Sequence, residues 1–170
     1  MKRILLLLAI LTSSISTSQQ SDVKSAFLEK WNNSKEYLIT IAQSMPEDKY
    51  DFKPTRRQMS FKTQLIHIEG NMKWLGTTYF NLETVGEPED LSNLSKEDLI
   101  IALQSRFDDI FNAVKAMDSK KFEEVVEFYA GPKSRLQILN LLQDHVTHHR
   151  GQLIVYLNMC NVDLPRYSGW

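Results

Sequence analysis

A chain of 170 residues is long enough for one domain with a real core and too short for two comfortable ones. With 42% apolar and 24% charged residues and only 6 Gly and 5 Pro, it has the composition of a globular, helix-leaning protein. A formal net charge of −1 excludes the basic surface that a nucleic-acid partner needs, and a single cysteine, Cys160, excludes an intramolecular disulfide.

Residues 1–18 have the layout of a secretory signal peptide. Lys2 and Arg3 give a positive start, Ile4 to Leu11 is an unbroken apolar run, and Ser16-Thr17-Ser18 offers small residues at a cleavage site. Eight apolar residues are too few to cross a bilayer, which takes about 20, and the run has no polar face for an amphipathic helix. The expected mature chain is therefore residues 19–170, exported to the periplasm or beyond, with no stable membrane insertion once cleaved. Cleavage leaves 18 basic and 21 acidic residues, a formal charge of −3. No lipid-attachment cysteine follows the signal. An exported domain without disulfides rests on its core and any metal it holds.

Four helices follow in chain order. The first is predicted over about Ser21 to Ser44, with Asp22 in its opening turn, Phe27, Trp31, Leu38 and Ile41 at helical spacing, and Pro46 ending it. Met45 to Met59, with Pro46 and Pro54, reads as an ordered loop. Ser60 is placed as the N-cap of a second helix whose stripe is Phe61, Leu65, Ile68, Met72 and Leu75. Leu82 to Leu94, with Gly86 and Pro88, is a connector. Ser95-Lys96-Glu97-Asp98 resembles a capping box and opens a third helix through Leu99, Leu103, Phe107, Ile110 and Val114 to about Met117. Phe122 to Tyr129 is predicted as a short strand or extended arm ending at the Gly131-Pro132 turn. The last helix runs from about Ser134 to Cys160 and a tail follows. The 82–94 connector can reach about 45 Å, whereas a 20-residue helix is about 30 Å long. The second and third helices can therefore lie parallel, which allows an up-down-down-up bundle.

The four histidines are His67, His145, His148 and His149. Positions 145 and 149 are one helical turn apart, about 6 Å along the axis and about 40° around it, so two imidazoles there can share one ion. Zinc proteases use that spacing in H-E-x-x-H. Here Val146 stands where their glutamate would be, so the protease mechanism is not supported. Ile138, Leu142, Leu153, Tyr156 and Cys160 share the side of His145 and His149, so that pair looks toward the core. Histidines in an apolar stripe must be hydrogen-bonded or bind something, and His67 lies in a comparable place beside Leu65 and Ile68. Three histidines at these spacings favour a metal site over hydrogen-bonded core histidines, although spacing alone does not show that His67 faces the pair. His148 is i+3 from His145 and could replace His149 as a ligand, but it lies about 100° from His149, so both cannot serve one ion. It is read as a contact to a neighbouring helix or a group behind the ligands. Asp144 or Gln152 could orient a ligand imidazole through its free nitrogen. Cys160, about 16 Å along the axis from His149, cannot share the ion.

The stretch Asp144-His145-Val146-Thr147-His148-His149-Arg150-Gly151-Gln152-Leu153 resembles the signature of the DinB/YfiT-like superfamily, H-x-x-H-H-R-G-Q. Met45 to Thr55, followed by Phe61 and His67, resembles that family's first loop and second helix, and Leu164-Pro165 to Trp170 suits its ending. The resemblance covers nearly all of residues 21–170. It implies an all-α, up-down-down-up four-helix bundle. It also implies a site for one divalent metal, zinc or nickel, with His67, His145 and His149 as ligands, and a homodimer. Members include thiol-dependent transferases and isomerases, which points to a metal-dependent hydrolase or thiol transferase acting on a small molecule. No residue declares the substrate. The export signal weakens the thiol reading, since the usual co-substrates are cytosolic thiols. The alternative is a non-catalytic binding or stress-related module whose metal stabilises the bundle.

Overall fold

The computed structural model describes residues 22–83 and 90–169. The expected signal segment and part of the 82–94 connector lie outside the described residues. The apolar stripes become helices α1 (Val23–Ser44), α2 (Phe61–Tyr79), α3 (Lys96–Ala116) and α4 (Arg135–Met159). Each starts behind a residue whose side chain accepts a hydrogen bond from the first turn: Asp22, Ser60, Ser95 and Ser134. The reciprocal capping box is at Ser134 and Gln137. At the third helix, Asp98 instead accepts the Ser95 hydroxyl at 2.8 Å, because its side chain is one methylene shorter than the Glu or Gln that reaches back to the N-cap amide.

Side-chain contacts fix the helix directions. Lys24 Nζ donates to Met117 O and Lys96 Nζ donates to Met45 O, so α1 and α3 run antiparallel. Arg135 Nε donates to Tyr79 O at 3.0 Å and Tyr156 OH donates to Met59 O at 2.9 Å, so α2 and α4 also run antiparallel. Lys62 Nζ donates to Leu94 O at the start of α3, and Arg106 of α3 meets Glu69 of α2, so these two helices run parallel. The order is up-down-down-up. The second helix packs on α3 and α4, and α1 packs on the same two from the opposite corner. The described residues on either side of the connector, Leu82 beside Gly76 and Leu94 beside Lys62, therefore stand toward opposite ends of α2.

The core is continuous. Trp31 is wholly buried, its indole N–H donating to Phe107 O at 3.0 Å and its ring 4.7 Å from that of Phe107. The 45–59 loop is ordered around a 3-10 turn at Glu47–Lys49. Tyr50 OH donates to Ala42 O at 2.7 Å, and Lys49 Nζ reaches Cys160 O at 3.1 Å. The expected arm is a hairpin: Val125–Val126 pairs antiparallel with Lys133–Ser134, preceded by a 3-10 turn at Ser119–Glu123 that takes in Phe122. Gly131 turns it at φ +89°, a conformation that side chains resist. Among the described residues no helix is long and apolar enough to cross a membrane.

Candidate metal centre

Antiparallel packing of α2 on α4 brings His67 against the two histidines that α4 presents one turn apart. The ring centroids lie 4.9 Å apart for His67 and His145, 4.6 Å for His67 and His149, and 4.5 Å for His145 and His149. One ring nitrogen from each falls within 4.8 Å of the others, and the three could hold a metal ion. His149 is 8% exposed, His145 is half-buried and His67 is exposed, so the cluster is backed by core and open on one side.

His145 Nε2 and His67 Nε2 face each other at 3.1 Å. Without an ion, one of them must carry the proton and donate to the other. With one, both lone pairs turn to it, and Zn–N bonds of about 2.0–2.1 Å put ligand nitrogens roughly 3.4 Å apart. The observed separation fits that donor set. Burial first, then the neighbouring imidazoles of His149, His67 and His148, holds His145 down to about 4. Burial, then His67 and His148, holds His149 at about 4 as well. Both are thus kept neutral, the protonation state that ligates.

Behind the ligands runs a chain of amides. His149 Nδ1–H donates to Gln64 Oε1 at 2.5 Å, Gln64 Nε2 donates to Gln152 Oε1 at 2.6 Å, and Gln152 Nε2 donates to His148 Nε2 at 2.9 Å. Because a carbonyl oxygen only accepts, the His149 proton sits on Nδ1 and its lone pair is on Nε2. Gln64 is buried and also lies 3.4 Å from Tyr156 OH. It is the functional residue that the sequence reading passed over, although its i−3 spacing from His67 was a usable signal. Gln152 does stand behind the site, but it reaches His149 through Gln64.

The other expected residues divide. His148 is exposed and bonds Gln152 of its own helix, so it sits behind the cluster and does not join it. Asp144 is exposed and outside the converging set, because it is about 100° around α4 from His145. Cys160, at the helix end, is buried and separate. Among the described residues, His145 Nδ1 is buried without a hydrogen-bond partner. Arg150 faces away from the histidines, with Nη1 donating to Ser34 Oγ at 3.1 Å and its guanidinium 5.2 Å from the Tyr37 ring centre. It is an anchor between α4 and α1.

The chain matches the model of the DinB family over residues 16–160. Among solved structures, it is similar to a DinB-like protein of Bacillus subtilis with TM-score 0.71 at 16% identity, covering 85% of this chain and 99% of that one. It is also similar to a DinB-like protein of Bacillus cereus, with TM-score 0.72 at 18% identity, covering 82% and 94% respectively. At such identities these likenesses speak to the fold. No curated protein matches the chain.

Proposed function

This chain belongs to the DinB family, and from that premise we propose that it binds one divalent metal ion, zinc or nickel, through His67, His145 and His149 and acts on a small molecule as a metal-dependent hydrolase or thiol transferase. The observation that carries the proposal is the convergence of three imidazole nitrogens from two helices within 4.8 Å, one of them oriented by Gln64. A divalent ion held there supplies Lewis acidity, polarising a substrate oxygen or lowering the pKa of a bound water or thiol.

The chain's own residues do the rest. Gln64 fixes the tautomer and ring direction of His149, as partners behind a metal ligand do. The core behind His149 excludes water, and exposed His67 borders the side from which a substrate arrives. Structural metal sites are usually closed by four protein ligands, whereas catalytic ones keep a position open. Among the described residues no fourth His, Cys, Asp or Glu joins the three, which favours an enzyme over a metal-stabilised module.

Elemental analysis of protein purified without a metal-affinity tag tests the reading. We expect near one equivalent per chain in the wild type, and much less after His67→Ala, His145→Ala or His149→Ala. His148→Ala should retain the metal. A wild type that never carries metal, or a His148→Ala variant that alone loses it, would sink the assignment.

A further inference from the structure

We propose that the aromatic cluster of exposed Trp74 and Tyr129 around half-buried Phe128 is the recognition subsite of the three-histidine centre, and that it takes a planar aromatic group of a small molecule whose reacting end lies at the histidines. This rests on the metal-centre reading. Tyr129 is 83% exposed and Trp74 41% exposed, and both rings lie against Phe128. Phe128 and Tyr129 have centroids 4.3 Å apart, and Trp74 lies 6.1 Å from Phe128 with its plane inclined by 27°. The hairpin carrying them is tied to the end of α2. Tyr79 OH donates to Glu127 O at 3.2 Å, and Arg135 pairs with the Glu124 carboxylate while donating to Tyr79 O. Open aromatic faces held this firmly suit stacking on a flat ring, with little ordering left to do on binding.

Position links the cluster to the histidines. Trp74 is seven residues beyond His67, so it projects within about 20° of the same direction and lies about 10 Å further along α2. Between them is Gly70. A Cβ there would meet nothing within 4 Å, and its φ is not positive. Gly76, by contrast, is crowded: a Cβ would fall 2.6 Å from Ile110 Cδ1. Neither packing nor backbone conformation explains Gly70, and glycine weakens a helix interior. What its missing side chain does is clear one side of the line from exposed His67 to exposed Trp74, while half-buried Asn71, its Oδ1 buried, borders the other, which leaves a path along which an elongated ligand can lie.

Three probes test this by calorimetry and NMR on the zinc-loaded full chain: acetohydroxamate, which offers only a metal-binding head; 2-naphthol, which offers only a planar ring; and a naphthyl hydroxamate whose linker spans about 10 Å. The linked probe should bind about tenfold or more tighter than acetohydroxamate, and 2-naphthol should shift the backbone amides of Phe128 and Tyr129. The double change Trp74→Ala with Tyr129→Ala, and separately Gly70→Leu, should bring the linked probe down to the affinity of acetohydroxamate with zinc content intact. A linked probe with no advantage, an advantage that survives these changes, or 2-naphthol leaving the hairpin unmoved would overturn the subsite. Acetohydroxamate failing to bind while 2-naphthol still shifts the hairpin would instead overturn the metal reading, and with it the role given to the cluster.

Discussion

Gln64 gives His149 its direction, and the consequence is measurable. Its Oε1 accepts a hydrogen bond from Nδ1–H at 2.5 Å, so the neutral ring keeps its lone pair on Nε2, turned to the other two histidines. Gln64→Leu keeps the bulk and removes the acceptor. It should weaken zinc binding by about 10–100-fold, as loss of such a partner does elsewhere, and competition against a chelating dye would register it. Unchanged affinity would mean that packing alone orients the ring. The protonation of the same residues sets an acid limit. His145 and His149 titrate at about 4 in the fold, against an ordinary imidazole value of 6.5. The unfolded chain therefore binds more protons than the folded one between these values, so the metal-free protein loses stability as pH falls from about 6.5 towards 4. Thermal melts of chelator-treated protein across that window should show the fall. They should show it less steeply after His145→Asn with His149→Asn, since the carboxylates that also titrate there are unaltered. Equal slopes in the two proteins would remove the histidines from the explanation.

Two glycines on α2 separate what packing demands of an element from what propensity costs it. Gly76 sits where α2 meets Ile110 of α3 and Leu82, with a Cβ due 2.6 Å and 2.9 Å from their methyl carbons. Gly76→Ala forces those side chains apart in a full core at about 1–3 kcal/mol, offset by about 0.5–1 kcal/mol of helix propensity, so a net destabilisation of about 1 kcal/mol is expected. Gly70→Ala enters open space and should stabilise by about 0.5–1 kcal/mol through helix propensity. Urea unfolding of the two variants should move in opposite directions, and a destabilised Gly70→Ala would show that the position has a neighbour. What sequence could reveal follows the same division. The helices were legible because Phe27, Trp31, Phe61, Leu65, Leu99 and Leu103 recur with a 3.6-residue period and Asp or Ser caps each start. The hairpin was legible only as an arm, because two-residue strands have no period to read and their register, Val125 on Ser134, is set by the turn and by Arg135. Of the site, the His145 and His149 pair was legible because both lie on one helix. That His67 meets them, and that Gln64 reaches His149 from 85 residues away, depends on how α2 slides along α4, which no local pattern encodes.

For the whole molecule, the question is where the bundle works. The described fold begins at Asp22, the cap of α1, and Lys24 already ties that end to Met117. The described core, helices and three-histidine cluster are all built from residues beyond Ser18. An oxidising compartment also poses no difficulty for the bundle. The only cysteine, Cys160, is buried at 8% exposure, and the core is built without a disulfide. We predict that natively produced protein has an intact mass beginning near Gln19, is recovered outside the cytoplasm, and runs as the same species on reducing and non-reducing gels. The outcome also bears on chemistry. If the protein is recovered outside the cytoplasm, where the low-molecular-weight thiols that a transferase consumes are scarce, hydrolysis becomes the better of the two proposed uses of the three-histidine site. A cytoplasmic protein that retains residues 1–18 would defeat the export proposal and restore thiol transfer to equal standing.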